Sequence, residues 1–410
     1  MKYFQQFAAK FTAIPAPKLS ILFKPAKLTS LCVTVLSVLI PISAEQLVLD
    51  VDYIKEKQPV IATLSNLVKP ASDSGFMGST LGVNDSNTTG KFLNQKIVLN
   101  KVDISTPQTI ISTLEQQFSQ GSRFFVVELS RASLKLAREW ASDKPVILFN
   151  INLQDDFFRQ QQCSSNTLHT IASYAMKNDA LAQWLLKRRF NDVLVVTGQR
   201  EEDKQLTGSF KRAAKRYGIK LIKEKTWDFD SDLRRSAGAE MPLFTQTRKD
   251  YDVVFVADKH KDFAQYLPFN TYLPRPVIGS AGLEALGWHR NIEQWGATQL
   301  QNRFIKLANR AMNEVDFSGY LAIRTLASAL TKTNSADPAK LLGHIKSDQF
   351  ELAAYLGRKL SYRPWSQQLR MPIALVQPNA LISQSPQAGM LHPVTELDTL
   401  GFDHKESTCQ

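Results

Sequence analysis

The segment Asn166–Gly198, NTLHTIASYAMKNDALAQWLLKRRFNDVLVVTG, decides how the chain folds. Tyr174, Leu181, Trp184 and Leu185 recur at helical spacing, and the run closes on Lys187, Arg188 and Arg189, which suit the negative end of a helix dipole. An amphipathic helix is predicted. Phe190 and Asn191 then turn the chain directly into DVLVVTG, an apolar run of strand length whose Gly198 fits a tight turn into another helix. Such continuous apolar runs belong to buried parallel strands. Upstream, PVILFNINL (Pro145–Leu153) reads as another of these strands, and a polar, irregular passage from Gln154 to Ser165 lies between them. A strand, a long crossing and a fresh helix and strand predict a handover between two α/β lobes, with a ligand cleft beside it.

On the N-terminal side, QLVLDVDYI (Gln46–Ile54) alternates like an opening strand, Gln58–Ser74 reads as a loop, and the glycine-rich GFMGSTLGVNDSNTT (Gly75–Thr89) as a closely packed helix. Strands at Lys96–Val102 and Phe124–Leu129 alternate with helices that end near Gln120 and Ser142, the second capped by Ser130. On the C-terminal side, a helix over Glu201–Tyr217 stopped by Gly218 precedes strands near Ile219–Lys223, Tyr251–Ala257 and Pro276–Gly279, with a polar segment running to Ala239. Three helices follow at about Ala297–Asn313, Phe317–Lys332 and Pro338–Lys346. Gly357–Val376 then reads as a hairpin and Ser383–Gln410 as a polar extension. Regular βα alternation of this kind predicts doubly wound parallel sheets.

The first 44 residues differ from the rest. They carry five lysines, no arginine and no acid, followed by the apolar run Leu31–Ile42 and then Ser43-Ala44. This is the pattern of a cleaved secretory signal, with a mature chain starting at Glu45, and the apolar run is shorter than the roughly 20 residues a membrane span needs. Its removal would lower the net charge from +12 to +7. Basic Lys211, Arg212, Lys215 and Arg216 form a stripe preceded by Glu201, Glu202 and Asp203, which reads as a solvated helix face. No zinc-finger or basic-zipper spacing points to nucleic acid. Of the cysteines only Cys163 and Cys409 survive removal of the signal. In an oxidising compartment they either pair with each other or stay free, and pairing would anchor an otherwise untethered tail.

No dinucleotide, phosphate-loop, nucleophile-elbow or zincin motif is present, and no two of the six histidines stand at metal-ligand spacing, so neither enzyme, cofactor nor metal is expected. Candidate ligand-binding residues follow from strand ends and the crossing: Ser130, Arg131, Asn150, Asp155, Asp156 and His169 from the first lobe and crossing, and Asp258 and Ser280 from the second. As a ligand-binding candidate, His169 at the crossing would face the cleft and titrate near neutrality; bonding backbone alone is the commoner role of a lone histidine in such a place. A capping role for Asp258 is equally compatible with its position.

SNTLHTIASYAMKNDALAQWLLKRRFNDVLVVTG, YDVVFVAD (Tyr251–Asp258) and KLSYRPWSQQLRMPIALV (Lys359–Val376), behind an export signal, resemble the type I periplasmic binding proteins of the branched-chain amino-acid binding family. The resemblance implies two doubly wound lobes joined by three crossovers: a signal at 1–44, a first lobe at 45–168 and 281–356, and a second lobe at 169–280 completed by 357–410. It implies a monomeric periplasmic protein that closes on a small polar solute and delivers it to an inner-membrane ABC permease. A ligand-sensing receptor of the same fold is the alternative, and an α/β enzyme comes third. NDSNTTGKFL, WGATQLQNRF and ELDTLGFDHKES further resemble a subgroup associated with pyrroloquinoline-quinone-dependent alcohol dehydrogenase systems. Amino-acid binders of the family hold ligand with small hydroxylated residues after the third and fourth strands. Here those turns read Glu128-Leu129-Ser130-Arg131 and Asn150-Ile151-Asn152, so the resemblance does not extend to a branched-chain amino acid as the solute.

Overall fold

The computed structural model describes residues 46–57, 71–228 and 233–409; the expected signal and cleavage site lie outside them. The first lobe is laid down as β1 (Leu47–Glu56), α1 (Phe76–Leu93), β2 (Gln95–Ile104), α2 (Ile110–Ser119), β3 (Phe124–Glu128), α3 (Arg131–Ala141), β4 (Ile147–Asn150), α4 (Phe157–Gln160) and β5 (Thr167–His169). These five strands form one parallel sheet in the order β2-β1-β3-β4-β5. The second lobe takes α5 (Tyr174–Arg188), β6 (Asp192–Thr197), α6 (Glu201–Tyr217), β7 (Lys220–Thr226), α7 (Leu233–Thr245), β8 (Val253–Ala257) and β9 (Val277–Gly279). Its sheet is also parallel, in the order β7-β6-β8-β9.

The remaining elements are β10 (Glu284–Leu286), α8 (Ala297–Ala308), α9 (Glu314–Thr333), α10 (Pro338–Ile345), β11 (Leu352–Ala353), β12 (Lys359–Tyr362), β13 (Leu369–Arg370), β14 (Ile373–Gln377) and β15 (Ala380–Ser385). α9 returns to the first lobe and crosses α1 at backbone distance. A Cβ on Gly78 would overlap the Asp316 carbonyl, which is why α1 is rich in glycine. β10 pairs with β14, and β14 with β15, beside α5.

Several sequence expectations are corrected. β4 stops at Asn150 rather than Leu153, because the Asn150 side chain accepts from the Leu153 N–H at 3.0 Å and donates to its carbonyl at 2.8 Å, bending the chain. The passage expected to be irregular holds α4, and β5 follows it as a fifth strand of the sheet. The polar segment before Ala239 gives way to α7, whose Ala237 and Met241 are buried under the second sheet. The expected hairpin at 357–376 is divided: β12 and β13 form a sheet with β11, and β14 joins β10. The polar extension contains β15 and two 3-10 turns.

That extension binds both lobes. The buried Asp398 carboxylate accepts from Arg363 and Arg370, each at 2.8 Å, and Thr399 accepts from Gln183 of α5. The Gly401 N–H donates to Asp179 of α5 at 2.7 Å, and Arg212 and Arg216 of α6 grip both Asp179 and the Gly401 carbonyl. Two of the four cations in the presumed solvated stripe therefore face inward. The tail then reaches the first lobe, where the Thr408 N–H donates to Gln160 and Cys409 forms a disulfide with Cys163, Cα to Cα 5.7 Å.

Candidate functional site

The crossings run side by side. The His169 N–H donates to the Gln367 carbonyl at 3.0 Å, and the Gln368 amide donates to the carbonyls of His169 and Ile171. Beside them a cavity of about 610 Å³ opens between the carboxyl ends of β8 and β9, the first half of α5 and the N-terminus of α9. Gln154 and Ala311–Val315 enter it from first-lobe elements; Tyr174, Lys177, Asp258, Lys259 and Ser280 enter from the second. Lys177 of α5 and Glu314 of α9 form an ion pair across it at 2.6 Å, both largely buried, and the second Glu314 oxygen accepts from the Gly287 N–H.

Of the predicted site residues, only Asp258 and Ser280 line this cavity. Asp258 serves as a cap: one carboxylate oxygen accepts the N–H groups of Phe263 and Ala264 at 2.7 and 2.8 Å. Burial pushes its carboxyl up, against the pull of those bonds. The Ser280 hydroxyl in turn accepts the Asp258 N–H at 2.9 Å. Both residues shape the loop that carries Lys259.

Arg131, Asp155 and Asp156 line a second cavity of about 350 Å³, separated from the first by Tyr174, which lines both. Arg131 pairs with Asp155 at 3.1 Å. Asp156 accepts from the Ala175 N–H at the start of α5 and from Ser209 of α6, tying the first lobe's last loop to the second lobe.

Ser130, Asn150 and His169 line neither cavity. The Ser130 hydroxyl caps α3, accepting from the Ser133 N–H. Asn150 and His169 are buried against each other, the asparagine amide 3.0 Å from Nδ1. Burial, reinforced by Arg159 and Arg138, holds the His169 imidazole well below its usual value. It is therefore neutral at physiological pH and lines neither cavity, which removes it from the ligand-binding candidates.

Sequence reasoning missed Tyr174, Lys177, Lys259 and Glu314. Lys259 sits one residue beyond a predicted site and Tyr174 was legible only as a helix residue. The Lys177–Glu314 pair spans 137 positions and leaves no local signal. Among the described residues no group of three or more His, Cys, Asp or Glu is arranged to hold a metal. Nor is any described helix long and apolar enough to cross a membrane.

Two parallel-sheet lobes with a cavity at the strand ends can be set against known proteins. A periplasmic binding protein from Burkholderia mallei superposes with a TM-score of 0.65, at 13% identity, over 88% of this chain and 98% of its own. This chain has the type I periplasmic binding protein fold. A solute-binding protein of an ABC transporter from R. palustris, in complex with benzoate, gives 0.62 at 14% identity over 82% and 94%. An ABC transporter substrate-binding protein from Desulfitobacterium hafniense, in complex with Leu, gives 0.62 at 15% over 82% and 99%. A sequence profile described as periplasmic binding protein matches residues 59–237 of this type I fold. No curated protein sequence matches the chain significantly.

Proposed function

We propose that the chain is a periplasmic solute-binding protein, which captures a small polar solute by closure of its lobes and delivers it to an inner-membrane ABC permease. The observation that carries this is the cavity of about 610 Å³ lined from both lobes and spanned by the Lys177–Glu314 pair. A solute touching both walls stabilises the approach of the lobes by its differential affinity for that arrangement. The solved proteins of the same fold bound to benzoate and to Leu support this reading, as does the profile match. The resemblance of NDSNTTGKFL, WGATQLQNRF and ELDTLGFDHKES to the subgroup tied to quinone-dependent alcohol oxidation supports a solute from that metabolic setting. Asp85 and Arg303, from the first two of these segments, pair at 2.8 Å, so both serve the α1–α8 contact and neither lines the cavity.

The test uses protein recovered from the periplasm. Native mass spectrometry is expected to show a bound small molecule, and X-ray scattering a radius of gyration that grows when the molecule is dialysed away and shrinks when it is restored. A chain that carries no solute and keeps one radius with periplasmic extract would refute capture.

A further inference from the structure

Two cations beside the cavity meet no carboxylate among the described residues: exposed Arg290 is held by neutral oxygens, and Lys259 is left to the cavity itself. Three carboxylates line it, and each is already engaged. Asp258 takes the two backbone N–H groups of its own loop, Glu284 takes Lys261 on both oxygens at 2.7 and 2.8 Å, and Glu314 takes Lys177 and the Gly287 N–H. Four cations line it. Lys177 and Lys261 are spent on those acids, and Arg290 donates to the neutral Pro378 carbonyl and Asn379 amide. Lys259 has no carboxylate within ion-pair distance among the described residues. Its ammonium stands over the Tyr174 ring, 5.7 Å from the centroid. Exposed Glu202 is near enough to favour the charged form but does not pair with it.

We propose that the solute is a small organic monocarboxylate without an ammonium group, and that Lys259 on the second lobe, backed by Tyr174, takes its carboxylate. The inference rests on the solute-capture reading above and specifies it. A phosphate would call for an array of free backbone N–H groups at a helix start free of acids, and neither helix start at the cavity is of that kind. The first three N–H groups of α5 are taken by Gln154, Asp156 and Ser173, and α9 carries two acids, Glu314 and Asp316, in its first turn. The first two N–H groups after β8 go to Ser280 and Asp203. An amino acid would need an unspent acid for its ammonium, and all three in the cavity are spent. Leu181, Leu206, Met312 and Val315 supply apolar wall for the body of the molecule. On the first lobe the Ser130 hydroxyl caps α3 and does not line the cavity.

Lys259 also carries a signature. The enclosing protein, with Lys177 and then Lys261, pushes its ammonium down to about 8, against the opposing effect of Glu314 and Glu202, although the side chain still meets solvent inside the cleft. The His289 imidazole, pushed down by burial and by Arg290, is uncharged above neutrality, and burial holds the Tyr174 phenol well above its usual value. Between neutrality and pH 9, Lys259 therefore loses its charge.

The test is a thermal-shift screen of the full mature chain against small carboxylic acids and their matched primary amides, with benzoate and benzamide, and leucine and leucinamide, among the pairs. At least one acid lacking an amine is expected to stabilise the protein where its amide does not. By calorimetry, Lys259→Gln should weaken that acid roughly tenfold or more, as loss of a charged hydrogen bond does. Lys259→Arg should keep the affinity, because a guanidinium stays charged. Wild-type affinity should fall as pH rises past about 8 while that of Lys259→Arg does not. Equal stabilisation by acid and amide, a preference for leucine over every amine-free acid, or unchanged affinity in Lys259→Gln would overturn the inference and leave solute capture standing. A periplasmic protein that carries no solute and responds to no acid or amide would overturn both.

Discussion

The two cavities flanking Tyr174 are built on opposite electrostatic plans. On the side of Arg131 and Phe402, and in the tail beyond, opposite charges meet inside the protein. Asp398 lies between Arg363 and Arg370, Asp179 between Arg212 and Arg216, and Asp156 takes donors from α5 and α6. On the Lys259 side the acids are matched and a cation is left over. A region that only has to hold elements together spends its charges internally, since a buried unpaired charge is costly. A region that has to receive something keeps one in contact with solvent, where it costs little until the visitor arrives. The contrast separates structural from functional charges without reference to any relative.

The comparison breaks first at Asp398. Asp398→Ala strands two guanidiniums, those of Arg363 and Arg370, which are 2% and 9% exposed. It should lower the urea-unfolding free energy by about 3–5 kcal/mol. A loss below that of an ordinary surface substitution would mean the tail clamp is not structural. Asp258→Ala removes the acceptor of two loop N–H groups and should cost about 2 kcal/mol by the same measurement. A solute-binding loss without any stability loss would return Asp258 to the role of direct ligand.

His169 gives a smaller, pH-dependent effect. Its folded value is depressed below that of the unfolded chain, so the unfolded state binds the extra proton first as pH falls. Its contribution is present in full above about pH 6.5 and is lost as pH drops from there toward the folded value, by up to about 1.4 kcal/mol per unit. Melting temperature should therefore decline from pH 7 to pH 5, and less steeply in His169→Gln. Parallel slopes would place the titration elsewhere. At the small end, Lys259→Ala should leave unfolding free energy within about 0.5 kcal/mol of wild type. A large loss would make Lys259 a structural charge after all and erase the contrast.

Much of the scaffold was legible because strands covered on both faces announce themselves. FFVVE, DVLVVT and VVFVA admit few other fates, and Ser130 and Gly218 mark a helix start and a helix end by their own chemistry. β5 escaped because three residues give no periodicity, and its place depends on pairing with β4. α7 escaped because its buried face is carried by Ala237 and Met241 within polar sequence that includes Pro242. The site was legible to within a residue at the ends of β8 and β9, where the rule of strand ends applies, and no further. A lysine looks the same in sequence whether or not a carboxylate meets it, and the acids that leave Lys259 alone come from positions 25 and 55 residues downstream in Glu284 and Glu314. The candidacy of His169 failed because proximity to a crossing says nothing about which way a side chain turns, and Asn150 turns it inward.

The disulfide between Cys163 and Cys409 has a topological consequence. It closes a covalent ring across a sequence separation of 246 that contains the whole second lobe and all three crossings, so that lobe has no free end: the backbone enters it from the first lobe and is stitched back there. A single protease cut anywhere inside the ring opens a loop without freeing a fragment. On a gel the nicked chain would keep its full mass until reductant divided it.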